Sequence, residues 1–132
     1  MEKLERYTLG KTDRLKSRKA IDELFKTGKS FTLFPLRVIY QLQDNTAPGD
    51  NMNLQAGFTV SSRHFKHATD RNRIRRLIKE CYRLQKNPLS LHCDYKNNRL
   101  NIFFIYVGKE TPLYELVQAK MELALKRLIQ LS

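Results

Sequence analysis

Seven cationic side chains crowd one short stretch of the sequence: Arg71, Arg73, Arg75, Arg76, Lys79, Arg83 and Lys86. Only Asp70 and Glu80 oppose them there. A merely solvated helix face mixes signs, with Glu–Lys pairs three or four residues apart. Here the repulsion goes uncompensated unless a polyanion arrives. Arginine outnumbers lysine, and its planar fork suits phosphate oxygens and base edges. Nucleic-acid binding is therefore the chemistry of this stretch, and the pattern does not say which nucleic acid. Hydrolysis of a phosphodiester normally needs metals held by clustered carboxylates. The aspartates Asp13, Asp22, Asp44, Asp50, Asp70 and Asp94 are scattered, with no D-x-D pair, so no catalytic residue is expected in the protein. His64, His67, His92, Cys81, Cys93 and Asp94 raise the question of zinc. Their spacing does not match a C-x-x-C…H-x-x-H framework, and no metal site is expected. His64 and His67, beside Arg63 and Lys66, read equally as phosphate contacts or as solvated loop residues.

These side chains need elements to position them. The basic stretch is itself a helix, capped by Thr69 or Asp70, with Ile74, Leu77, Ile78, Cys81 and Leu84 as its apolar stripe. Asn87-Pro88 ends it, and a loose segment, Leu89 to Arg99, follows. Upstream, Ser17 caps a short helix with Ile21, Leu24 and Phe25 on one face and Gly28 as its stop. Pro35 to Gln43 and Asn53 to Ser61 alternate as strands, separated by the polar loop Asp44 to Asn53. Asn101 to Val107 is apolar on both faces, as a central strand covered by helices is. Thr111-Pro112 reads as N-cap and first residue of a last helix. Its buried face is Leu113, Leu116, Val117, Met121, Ala124, Leu125 and Leu128. Helices against a small sheet give an α/β sandwich in outline.

The whole chain of 132 residues is one domain's worth, and no linker or repeat divides it. Its 41% hydrophobic and 29% charged residues exclude a disordered tail. The longest apolar run, Ile102 to Val107, is far below the ~20 residues of a membrane span. The N-terminus has no apolar secretory core, and two cysteines make no disulfide framework, so a cytoplasmic location is expected. Net charge is +12. Residues 61–86 alone carry +7 of it, a concentration that attracts polyanions.

Asp70-RNRIRRLIKECYR, with Arg71-Asn72-Arg73 at its head, resembles the RNR signature of the bacterial ribonuclease P protein subunit. Arg14-Leu15-Lys16 with Leu24-Phe25-Lys26-Thr27-Gly28 resembles the family's opening helix. Gly57-Phe58-Thr59-Val60-Ser61 resembles the strand that enters the signature loop. The resemblance covers most of the chain. It implies a single ribonuclease P protein domain over 1–132, with 1–13 a flexible arm. The implied fold is an α/β (α+β) two-layer sandwich, a small mixed sheet in the order αβββαβα with a left-handed βαβ crossover. A right-handed crossover is the general rule, so that hand comes from the resemblance alone.

The resemblance also implies a function: a subunit that binds the catalytic ribonuclease P RNA and precursor tRNA, assisting removal of the 5′ leader. Catalysis and most of the Mg²⁺ would reside in the RNA. The resemblance implies RNA contact for Arg71, Asn72, Arg73, Arg75 and Arg76, and the charge of the same stretch adds Arg63, Lys66 and Lys79 to the expected RNA-binding residues. The implied leader cleft, between the opening helix and the sheet, takes Ile21, Phe25, Tyr40 and Ser61. Ile21 stands where the family often has an aromatic. The loop Ser62 to Thr69 lacks the glycine many members have and is one residue longer than the commonest pattern. Phe58, Phe103 and Phe104 are assigned to the core. The alternative is a general RNA-binding or ribosome-associated protein with no role in cleavage. A DNA-binding regulator lacks the second helix one short turn upstream, and a membrane-surface helix lacks Trp or Phe anchors.

Overall fold

The computed structural model describes residues 14–15, 17–44, 54–96 and 98–132. The expected arm over 1–13 and the polar loop at 45–53 lie outside the described residues. Helix α1 (Arg18–Thr27) begins where expected: the Ser17 Oγ accepts a hydrogen bond from the Ala20 N–H at 3.3 Å. It stops at Gly28, whose φ of −69° is ordinary. Glycine is required there because a Cβ would stand 2.4 Å from the Leu24 carbonyl oxygen. Strand β1 (Lys29–Leu33) turns at Phe34-Pro35 into β2 (Leu36–Asp44), and β3 is Leu54–Val60. The basic helix is α2 (Ala68–Gln85). Then come α3 (Asn87–Lys96), β4 (Asn98–Tyr106) and α4 (Tyr114–Leu131).

The sheet order is β1-β2-β4-β3. The β1–β2 and β2–β4 pairs are antiparallel, and β3–β4 is parallel. Parallel neighbours need a crossover connection, and here it contains α2. The outer edge of β3 is not left open: Arg14 bridges to Ala56, and the Leu15 N–H donates to the Ala56 carbonyl at 2.9 Å.

β4 organises both faces, as its two-sided apolarity requires. On one face Leu100, Ile102, Phe104 and Tyr106 pack with Leu36, Val38, Ala56 and Phe58 beneath α2, α3 and α4. On the other, Phe103 and Ile105 pack beside Leu15, Leu24 and Ile39 under α1. The main body is thus sheet against helices, with α1 laid over the opposite face.

Several sequence expectations need correction. Asn87-Pro88 stops α2 but also starts α3, with Pro88 in its first turn, so Leu89–Arg99 is not loose. Only Leu89 and Cys93, one turn apart, are buried in α3, too few to write a helical period. The N-cap of α2 is His67, not Thr69 or Asp70. The stripe gains Tyr82 and loses Leu84, which is 40% exposed. α4 starts two residues late, behind Leu113 as N-cap, leaving Leu113 and Leu116 exposed. The third strand before α2, which the resemblance implied, is β1.

Ile78 is fully buried under the sheet. Ile78→Ala is expected to lower unfolding free energy by about 2–5 kcal/mol in urea titrations. Leu84→Ala, half outside the core, should cost under about 1 kcal/mol.

Candidate nucleic-acid interface

Because α2 turns Ile74, Ile78, Cys81 and Tyr82 into the core, its cations lie on the other side, except Lys86, which is buried at the C-cap. Tyr82 packs edge-on to Phe58, ring centroids 5.4 Å apart, and Phe58 stacks on Phe104 at 5.6 Å. The opposite side presents Asn72, Arg73 and Arg76 to solvent, with Arg71, Arg75 and Lys79 half-buried. Asn72 accepts a hydrogen bond from the Arg75 guanidinium. Glu80 is engaged by Arg83, whose Nε donates to Oε2 at 3.1 Å while Nη2 pairs with Oε1. That hydrogen bond holds the Glu80 carboxyl below its usual range. Among the described residues, no carboxylate lies within ion-pair distance of Arg73, Arg76, Arg63 or Lys66.

The segment entering α2 adds to the same surface. Arg63, His64, Lys66 and His67 are exposed, whereas Phe65 is buried with its ring 6.0 Å from that of Tyr106. The Arg71 Nη1 donates to the carbonyls of Phe65 (2.7 Å) and Lys66 (2.9 Å). One further cation, Arg14, was not legible as a member of this face. The Lys79 ammonium is depressed below its ordinary pKa by partial burial, then by the charges of Arg14 and Arg75. Arg14 reaches this neighbourhood because residues 14–15 line the edge of β3, against which α2 packs. No local pattern announces that meeting.

The cleft residues divide. Ile21 packs against the Leu15, Leu24 and Ile39 cluster. Phe25 is 47% exposed, and its ring lies 5.2 Å from Phe103. Phe103 is half-buried on this face instead of lying in the main core with Phe58 and Phe104. Gly57 makes room for it, since a Cβ there would come within 2.6 Å of the Phe103 ring. Tyr40 is not in this trough. It packs against the main core on the far side of the sheet, its ring 5.9 Å from Phe31. A one-residue difference in strand register reverses the face, and Ile39 is the residue that faces α1. Ser61 sits where β3 ends, its N–H donating to the Tyr106 carbonyl at 3.2 Å and its Oγ accepting from the Arg63 N–H at 3.4 Å.

Among the described residues, no three His, Cys, Asp or Glu side chains come together as a metal cluster. Cys81 and Cys93 are buried and free. Burial, with Glu80 and Asp94 respectively adding repulsion, pushes both thiols up to about 11.

A short mixed sheet, a parallel crossover through a one-sided cationic helix, and a small helix over an aromatic trough define a compact α+β protein built to meet a polyanion. Residues 9–128 match the family model described as Ribonuclease P. The ribonuclease P protein component of Porphyromonas gingivalis is 33% identical over 123 residues, covering 92% of this chain and 87% of that one. That of Chlorobium phaeobacteroides is 31% identical over 128 residues, covering 92% and 88%. Among solved structures, the RNase P protein of Thermotoga maritima superposes with a TM-score of 0.65 at 26% identity, covering 86% of this chain and 96% of that one. The Staphylococcus aureus RNase P protein does so at 0.66, with 20% identity and coverage of 88% and 94%. The chain belongs to the ribonuclease P protein family, whose members are protein subunits of a tRNA-processing endoribonuclease.

The cysteines give a pH prediction. Each thiol ordinarily titrates near 9 and is held to about 11 in the fold. The unfolded chain therefore releases these protons first. Stability is expected to be unaffected by them below pH 9 and to fall as pH rises from about 9 towards 11. Urea midpoints at pH 8 and pH 10.5 check this, and a thiol reagent at pH 8 should modify both cysteines only as the protein unfolds.

Proposed function

We propose that this chain binds the catalytic ribonuclease P RNA through the outer side of α2 and the segment before it, and the 5′ leader of precursor tRNA in the trough under α1. The observation that carries the reading is the one-sidedness of α2: Arg73 and Arg76 stand exposed, with no carboxylate partner among the described residues, on a helix whose other side is core. Arg63, Lys66, Asn72, Arg75 and Lys79 extend that surface, and Arg14 joins it at the β3 edge. Lys79 is held below its ordinary pKa partly by two neighbouring arginines, and a phosphate between them would relieve that repulsion.

The trough offers Ile21, Phe25, Phe103 and Ile105 above a buried Ile39, and Ser61 begins the basic segment. A half-exposed aromatic pair accepts unpaired bases of any sequence, each stacked base contributing about 1–3 kcal/mol. Leaders differ in sequence between precursors, and stacking tolerates that. The protein's part is to neutralise phosphates where two RNAs meet and to hold the leader in line. The aspartates are scattered along the sequence with no D-x-D pair, and in this reading the Mg²⁺ and the bond cleavage belong to the RNA. The protein works as a single domain in the cytoplasm, where precursor tRNA is made.

Reconstitution with a bacterial ribonuclease P RNA at low Mg²⁺ tests the whole reading: cleavage of precursor tRNA should be strongly stimulated, whereas a general RNA binder would leave turnover unchanged. Arg73→Ala and Arg76→Ala should each flatten the log–log salt dependence of RNA binding by about 0.7–0.9. Phe25→Ala should reduce the preference for precursor over mature tRNA by roughly 5–150-fold, the equivalent of ~1–3 kcal/mol. Tyr40→Leu, on the other face, should leave that preference intact.

A further inference from the structure

We propose that Arg71 is a positioning residue, which clamps the segment carrying Arg63 and Lys66 and thereby sets where those two cations meet RNA. The proposal rests on the RNA-facing reading of α2 given above.

Residues 61–67 connect β3 to α2 without regular structure and without a glycine. Their two exposed cations, Arg63 and Lys66, flank a buried Phe65. The segment is tethered at its start by the Ser61 N–H on the Tyr106 carbonyl, and in its middle by the Phe65 ring beside that of Tyr106. Its end, where the chain must turn into α2, has weaker local support. His67 is the N-cap but makes no side-chain capping bond. The Asp70 and Arg71 N–H groups reach its carbonyl only at 3.2 and 3.3 Å. A helix start without a cap is ordinarily about 1 kcal/mol less stable.

Arg71 supplies what the cap does not. From the first turn of α2 its side chain folds back, and Nη1 donates to the two consecutive carbonyls that precede His67, at 2.7 and 2.9 Å. Hydrogen bonds from an ionised donor are shorter and stronger than neutral ones, and these distances are in that range. Both hydrogens of Nη1 are thereby committed to the protein, and the residue is half-buried while its neighbours Asn72 and Arg73 are exposed. A helix residue is thus tied to the segment, and the spacing of Arg63 and Lys66 from Arg73 and Arg76 becomes fixed before RNA arrives. Preorganisation of this kind spares the ordering cost that a loose segment would incur on binding.

The test combines motion in the free protein with salt dependence in the complex, using Arg71→Ala, Arg71→Lys, the double variant Arg63→Ala/Lys66→Ala, and the triple variant with Arg71→Ala. Arg71→Lys retains the charge but not the planar fork. Urea unfolding of each variant confirms that a folded protein is being compared. In the free protein, backbone ¹⁵N order parameters over residues 62–67 should fall from the rigid range near ~0.85 towards ~0.6 in both Arg71 variants. In binding to the catalytic RNA, the double variant should lose about 1.4–1.8 of the salt slope, two contacts' share. Arg71→Ala alone should lose more than the ~0.7–0.9 of one contact and should add nothing in the double-variant background. Unchanged order parameters in both Arg71 variants overturn the proposal. So does a loss of one contact's share that adds fully to the double variant, since Arg71 is then a phosphate contact in its own right. If the segment loosens but the double variant keeps the full slope, the clamp stands and the RNA-facing reading falls.

Discussion

Everything in this molecule depends on α2 being driven by its apolar side. Ile74, Ile78, Cys81 and Tyr82 are excluded from water against the Phe58–Phe104 stack, and burial of such side chains stabilises by about 1.5–3 kcal/mol each. Mutual repulsion among exposed cations near a protein surface is weaker per pair and is screened by salt over roughly 8–10 Å. Burial therefore wins, and the helix forms with its charges gathered on the remaining side. Folding in this way stores an unsatisfied electrostatic demand on the surface, and a polyanion satisfies it.

The sheet fixes the cationic side and the Phe25–Phe103 pair on its two faces. β4, hydrogen-bonded on both edges and apolar on both faces, gives α2, α3 and α4 one face and α1 the other. The parallel β3–β4 pair sends the chain through α2 on the way between them, and Ser61 sits where β3 ends and the basic segment begins. The return of residues 14–15 along the β3 edge then closes an otherwise open strand and delivers Arg14 to the cationic side. One pairing does both jobs.

The legible parts of the sequence were those in which a residue's surroundings repeat with a local period. Ser17, Leu24 and Gly28 wrote the first helix, and the stripe from Ile74 to Cys81 wrote the basic one. Alternation along Leu54, Ala56, Phe58 and Val60 wrote β3. The short α3 was not legible, since two buried residues make no period and Asn87-Pro88 stops one helix as readily as it starts another. Leu84, Leu113 and Leu116 were read as buried because hydrophobicity alone does not say whether a neighbouring element reaches that far. Tyr40 was placed in the cleft by the resemblance, one residue out of register, whereas the alternation of Leu36, Val38 and Tyr40 along the strand puts it with the main core, where it lies.

By itself, the order of amino acids determined the class of fold, the basic helix and its chemistry, because each is encoded by residue type at fixed local spacing. Only the tertiary structure decided that Ile39 instead of Tyr40 faces α1, that Phe103 sits half-buried beside Phe25, that Arg14 joins Arg75 and Lys79, and that Arg71 reaches back to two carbonyls. Each of those depends on strand register or on contacts between distant segments. Such choices are made by competition among whole packing arrangements, and no local window contains the competitors.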